Sequence, residues 1–213
     1  GPEYPSGMSS AQLLAKADSS PRSYCAQFLA ATALLKAGRR DDAIRVFERA
    51  HALIPAYGGE DSPAARLAAL YRERHDDARA AEMLKVVVAA DESAYQANAD
   101  LAALLLAQGD TAGAMEAMER AVYINPFAPE MHAALAALAA LRGDHVRRVR
   151  EREAVVALDP VDKAEALYQL AMAYRDAGDP AKAKGAVLRA LEDAPNFGKA
   201  QDLLLALVDG RKP

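Results

Sequence analysis

In the stretch from Tyr95 to Ala128 apolar residues recur at three- and four-residue intervals, the spacing of one face of an α-helix. Leu101, Ala102, Leu104 and Leu105 form one stripe, and Ala114, Met115, Met118, Ala121 and Val122 form a second. Between them, Gly109 suits the left-handed conformation that ends a helix, and Asp110 can cap the next one. Pro126 cannot continue a helix and restricts Asn125 before it, so the second helix stops there. So short a join makes the two helices antiparallel neighbours, and Ala102, Ala114 and Ala121 let them approach closely.

The same plan recurs along the chain. Gly38, His75, Gly109, Gly143 and Gly178 end successive first helices at separations of 37, 34, 34 and 35 residues. Seventeen residues after each of them stand Pro55, Glu92, Pro126, Pro160 and Pro195. On these offsets fall Ala64, Leu67, Ala68, Tyr71, Ala80, Leu84 and Val87 in the second unit, and Asn98, Leu101, Ala102, Leu105, Ala114, Met118 and Ala121 in the third. The fifth supplies Leu167, Leu170, Ala171, Tyr174, Ala183, Val187 and Ala190, and the first supplies Leu34, Ala43, Phe47 and Ala50. A two-helix period of 34 residues with this order of large and small positions resembles the tetratricopeptide repeat (TPR) family. The resemblance covers residues 24–197 in five repeats, at 24–57, 61–94, 95–128, 129–162 and 164–197. It implies an all-α fold, a right-handed superhelical solenoid of helix pairs with a capping helix at each end.

Outside the repeats, residues 1–9 read as a loosely attached lead, with Gly1–Pro2 ahead of Met8 resembling the remnant of a cleaved tag. A short helix is predicted from Ser10 to Ala17, broken by Asp18–Ser19–Ser20–Pro21. A capping helix is predicted over 198–208, with Leu203, Leu204 and Leu207 facing back and a polar end at Asp209–Gly210–Arg211–Lys212. No domain boundary shows, so 10–210 reads as a single domain.

Two departures stand out. Gly58–Gly59–Glu60, followed by Ser62–Pro63, is inserted between the first two repeats and either lengthens a turn or loosens the angle there. The second helix of the fourth repeat reads HVRRVREREAVVAL, with Arg148 and Arg152 where a small and a large apolar residue belong. Either that helix rotates to bury Val146, Val149 and Val156, or the arginines lie along their stems with their heads in water. A poorly packed helix is expected.

The 213 residues suffice to bury a core, as one elongated domain or two compact ones. Hydrophobic residues make up 52% with no Trp, which suits an all-helical protein, and the net charge of −4 argues against nonspecific nucleic-acid binding. Cys25 is the only cysteine, so neither an intrachain disulfide nor a cysteine-rich zinc site can form. The longest apolar run, Ala133 to Leu141, is nine residues, too short to span a bilayer. Cytoplasm and periplasm both remain open.

No catalytic, cofactor or metal site is read. His51, His75, His132 and His145 lack metal-ligand spacing, and His75 and His145 read as turn residues. Glu116, Glu119, Glu151 and Glu153 read as exposed carboxylates among Arg120, Arg150 and Arg152. The run Arg142, Arg147, Arg148, Arg150 and Arg152 could hold an acidic segment, but Asp144 and acidic neighbours interleave with it.

The resemblance carries the functional expectation, because TPR proteins bind peptides or helices along the first helices of their repeats. The positions it turns inward are Phe28, Thr32 and Leu35; Ala65, Ala69 and Arg72; Ala99, Ala103 and Leu106; Ala133, Ala137 and Ala140; and Tyr168, Met172 and Arg175. Members that clamp a carboxyl-terminal chaperone tail use Asn and Lys at several of these places; Thr32, Ala69, Ala103, Ala137 and Met172 stand there instead. An alanine-floored trough suits an apolar helix or extended segment, with Phe28 and Tyr168 as anchors and Ala103→Arg abolishing capture. The expected function is non-catalytic protein or peptide binding within a larger bacterial protein. A self-assembling scaffold and an accessory domain of a peptidase or other enzyme are the alternatives.

Overall fold

The computed structural model describes residues 8–209, and every described regular element is an α-helix. The repeat pairs are α2 (Tyr24–Lys36) with α3 (Arg40–Leu53), α4 (Pro63–Glu73) with α5 (Asp77–Ala90), and α6 (Tyr95–Ala107) with α7 (Thr111–Ile124). They continue as α8 (Pro129–Leu141) with α9 (His145–Ala157) and α10 (Lys163–Asp176) with α11 (Pro180–Asp193), between α1 (Ser10–Ser19) and α12 (Gly198–Val208). The chain forms two compact units, Gly1–Ala117 and Met118–Pro213, described in turn below. Most of the expected lead at 1–9, and the expected polar end from Gly210 to Lys212, lie outside the described residues.

All five turns inside the pairs share one hydrogen-bonded form. At the first, the Arg39 amide donates to the Leu34 carbonyl and the Gly38 amide to the Leu35 carbonyl, closing the Schellman motif on two otherwise orphaned carbonyls. The same pair of bonds recurs at His75, Gly109, Gly143 and Gly178. The five residues have φ of 75°, 57°, 81°, 71° and 80° in chain order, so His75 alone holds this left-handed geometry with a Cβ. The next helix is capped at once: Asp76, Asp110, Asp144 and Asp179 accept from the amides of Arg79, Gly113, Arg147 and Lys182.

In the first unit, α1 to α5 enclose a core of Leu13, Ala30, Leu34, Ile44, Phe47, Leu67, Leu70 and Tyr71. Helix α1 runs two residues past its expected end. The fully buried Gln27 of α2 reaches back, its Nε2 donating to the Ala17 carbonyl at 2.7 Å and the Ser20 carbonyl at 3.3 Å, which satisfies the C-terminal end of α1. The 58–60 insertion is seated tightly. Gly58 is buried against α5, where a Cβ would come within 2.3 Å of the Val86 carbonyl oxygen. The buried Ser62 then caps α4 by accepting from the Ala65 amide, with Pro63 at the first helical position.

In the second unit, α10 to α12 share a core of Leu167, Leu170, Ala171, Ala186, Val187, Ala190, Ala200 and Leu203. Helix α9 departs from the sequence reading. Val146 stays 82% exposed, so the helix does not rotate to bury it; Val155 and Glu151 are the buried residues. Arg148 does not keep its head in water: its side chain is 13% exposed and pairs with Asp176 of α10. Glu151 corrects the assignment of that carboxylate to an exposed face. It is 4% exposed, and its Oε2 lies 2.7 Å from Nδ1 of the buried His132 on α8.

Candidate peptide-binding slot

The apolar face predicted on the first helices opens into a cavity in the first unit, between α4 and α6 with α5 as its floor. Its volume is about 410 Å³. Leu84, Val87 and Ala68 form the floor, Ala65 and Ala69 line the α4 side, and Ala94, Tyr95 and Ala97 line the α6 side. The geometry follows from the repeat. Because α4 and α5 are antiparallel, the start of α4, the end of α5 and the start of α6 meet at one end of the slot. Glu60 and Asp91 sit at that end, whereas Arg72 and Asp100 lie further along and are ion-paired with each other. Small side chains at 65, 69 and 97 leave the space that larger residues would fill.

Of the sequence-predicted residues, Ala65, Ala69 and Arg72 line this slot. From α6 the lining comes from Gln96, Ala97 and Asp100, while Ala99 is half-buried and Ala103 and Leu106 are exposed outside it. On α2, Phe28 stacks on Tyr24 at 5.8 Å and meets Phe47 edge-on at 5.6 Å, so much of its ring is covered by the protein itself. The Thr32 hydroxyl donates to the Phe28 carbonyl, and Leu35 packs on the first-unit core. Burial, with Tyr57 and Cys25 beside it, pushes the Tyr24 hydroxyl up to about 12.

In the second unit Ala133 and Ala140 are half-buried and Ala137 is exposed on α8. Tyr168 and Met172 pack on the α10–α12 core, with the Tyr168 ring 5.3 Å from that of Phe197. Arg175 pairs with Asp176. Burial pushes the Asp176 carboxyl up, but hydrogen bonds from Arg175 and Arg148 outweigh it and hold the group below the usual carboxylate range.

The buried His132–Glu151 pair resembles catalytic machinery only at first sight. The Nε2 of His132 faces the Pro126 carbonyl at 3.0 Å while Nδ1 faces Glu151, and Glu151 Oε1 accepts from Arg150. Both ring nitrogens are engaged by oxygen atoms of the protein itself. Arg152, on the same helix, is half-buried, and among the described residues it has no carboxylate partner and its Nε no hydrogen-bond acceptor. Burial and the neighbouring Arg148 lower its pKa, against the opposing pull of Glu165. Among the described residues no group of three or more His, Cys, Asp and Glu could hold a metal ion, and no helix is long and apolar enough to cross a membrane.

Comparison with known proteins agrees with this architecture. The family pattern of the tetratricopeptide repeat matches residues 69–138 and again 164–197. Among solved structures, YrrB, described as a TPR protein with an unusual peptide-binding site, is similar at a TM-score of 0.61 and 16% identity, over 91% of this chain and 98% of that one. MamA is similar at 0.55 and 22% identity, over 78% of this chain and 95% of the other. The Naa15/Naa10 complex bound to HypK-THB gives 0.71 at 15% identity, over 94% of this chain but 31% of its counterpart. No curated protein matches the sequence significantly. With the repeat's turns, caps and helix pairs all in place, the chain is a tetratricopeptide repeat protein over the matched residues 69–138 and 164–197, and repeats of this kind form protein–protein interaction modules.

Proposed function

We propose that the chain is a non-catalytic binding module whose α4–α6 slot takes an apolar segment of a partner polypeptide. The observation that carries this is the unfilled volume of about 410 Å³ lined by Ala65, Ala69, Ala97, Leu84 and Val87. An apolar cleft bordered by a few polar groups is the ordinary form of a binding site. Small residues on its walls let a guest approach the helix backbones. The likeness to YrrB, whose description names a peptide-binding site, supports the same reading.

A peptide array of random sequences, probed with the purified protein, tests it. Binders are expected to share an apolar core, and Ala69→Trp, which fills the slot from an exposed wall position, should weaken them about tenfold or more. Circular dichroism and melting should be unchanged. Binders indifferent to Ala69→Trp would move the site elsewhere. A second reading, association of copies through α12, rests on the exposure of Leu205 and Val208 on that helix. Sedimentation at increasing concentration separates it from the first, because only self-association raises the mass.

A further inference from the structure

The charge around the slot is lopsided, and this determines what kind of segment it suits. Resting on the reading just given, we infer that the slot takes an aliphatic side chain adjoining a lysine or arginine of the partner polypeptide. The alkyl group lies between Ala65, Ala69 and Ala97, and the cation reaches Glu60 and Asp91.

Four charged residues border the slot: Glu60, Arg72, Asp91 and Asp100. Arg72 is paired with Asp100, whose Oδ1 also accepts from Gln96 Nε2 at 3.0 Å, so that end is internally neutralised. The other end is not. Asp91 Oδ1 accepts from the Ser93 amide at 2.9 Å and the Ser93 hydroxyl at 2.7 Å, and these bonds hold the carboxyl ionised below its usual range. No cation faces it among the described residues, and Glu60 likewise has no ion-pair partner. Helix α5 ends at Ala90, so its C-terminal carbonyls add partial negative charge at the same place. Two unpaired carboxylates and a helix C-terminus favour a cation and repel an acidic or carboxyl-terminal group. The Arg72 guanidinium at the slot is already occupied by Asp100.

Three fluorescein-labelled synthetic peptides with one aliphatic pattern, flanked by lysine, serine or glutamate, discriminate by fluorescence anisotropy. The lysine peptide should bind tightest, ahead of the glutamate peptide by roughly threefold to tenfold. Glu60→Gln with Asp91→Asn should erase that preference, while the Asn side-chain carbonyl can still accept from Ser93 and keep the turn. Ala69→Trp should weaken all three peptides alike. Equal or tighter binding of the glutamate peptide, or a preference that survives the double substitution, overturns the charge assignment but leaves the slot reading standing. Failure of every peptide to bind, or binding indifferent to Ala69→Trp, overturns both.

Discussion

Helix pair α4–α5 of the first unit and pair α8–α9 of the second have the same turn and the same helix lengths to within two residues, yet their interiors differ in kind. Counted from the turn residues His75 and Gly143, the inward positions carry Ala80, Leu84 and Val87 in one pair and Arg148, Arg152 and Val155 in the other. The buried Ala64 and the half-buried Met83 of the first pair correspond to His132 and Glu151 of the second. One pair is closed by apolar burial. The other is closed by a buried His–Glu contact and an Arg148–Asp176 ion pair to the next helix. The repeat therefore specifies where side chains meet without specifying the chemistry of the meeting. Apolar contacts bordered by alanine leave an open slot beside α5. Long charged side chains fill the equivalent depth of α9 and tie it to α10.

The largest expected effect comes from breaking the buried His–Glu contact. His132→Ala takes from Glu151 its contact at Oε2, leaving only Arg150, and Glu151→Ala takes from His132 its contact at Nδ1, so each should cost about 1–3 kcal/mol in urea unfolding. The double replacement His132→Ala with Glu151→Met imports the α4–α5 residues and should recover most of that loss. If the two single effects simply add, the pair is not coupled and the contrast between the two helix pairs fails.

Arg152 offers the converse test. Its half-buried guanidinium has no carboxylate partner among the described residues, so Arg152→Leu, the residue at the matching place in α5, should stabilise by about 1 kcal/mol. A loss of similar size would show that the arginine has a contact worth more than its desolvation.

Acid should act on the α9–α10 contact through Asp176. Its folded carboxyl titrates below the ordinary range, so its contribution is present above that range and is lost as pH falls through the folded value. The melting midpoint should drop on acidification through this window, and Asp176→Asn should flatten that drop while lowering the midpoint at neutral pH. An unchanged acid profile in Asp176→Asn would exclude this source.

The smallest effect is at the turns. His75 holds φ of 57° where Gly143 stands in the other pair. His75→Gly should relieve the left-handed strain, offset by the greater freedom of glycine when unfolded, for a net gain of about 0.5 kcal/mol in thermal melts.

Helix ends were legible in the sequence because they depend on neighbours a few residues away. Glycine or histidine at the turn and proline or glutamate seventeen residues on mark each pair, with aspartate directly after the turn in every pair but the first, where Arg39 stands, all without knowledge of anything distant. Large and small inward positions followed from the 34-residue period for the same reason, and Leu34, Phe47, Leu67, Ala121, Leu167 and Val187 are all buried as read. At the slot, Ala65, Ala69 and Arg72 were legible on α4, but on α6 the face turned to it carries Gln96, Ala97 and Asp100 rather than Ala99 and Ala103. Which flank of α6 meets its neighbour depends on how the helices cross, and Ala97 on one side with Ala99 and Ala103 on the other conceal that choice.

The amino-acid order alone determined the helices, their pairing and the family, since each rests on contacts that recur locally with every repeat. Only the tertiary structure decided that Glu151 turns inward to His132, nineteen residues earlier on another helix, and that Gln27 closes the end of α1. A carboxylate or an amide is buried when a partner from a different element arrives to replace its water, and nothing in its own neighbourhood announces that partner.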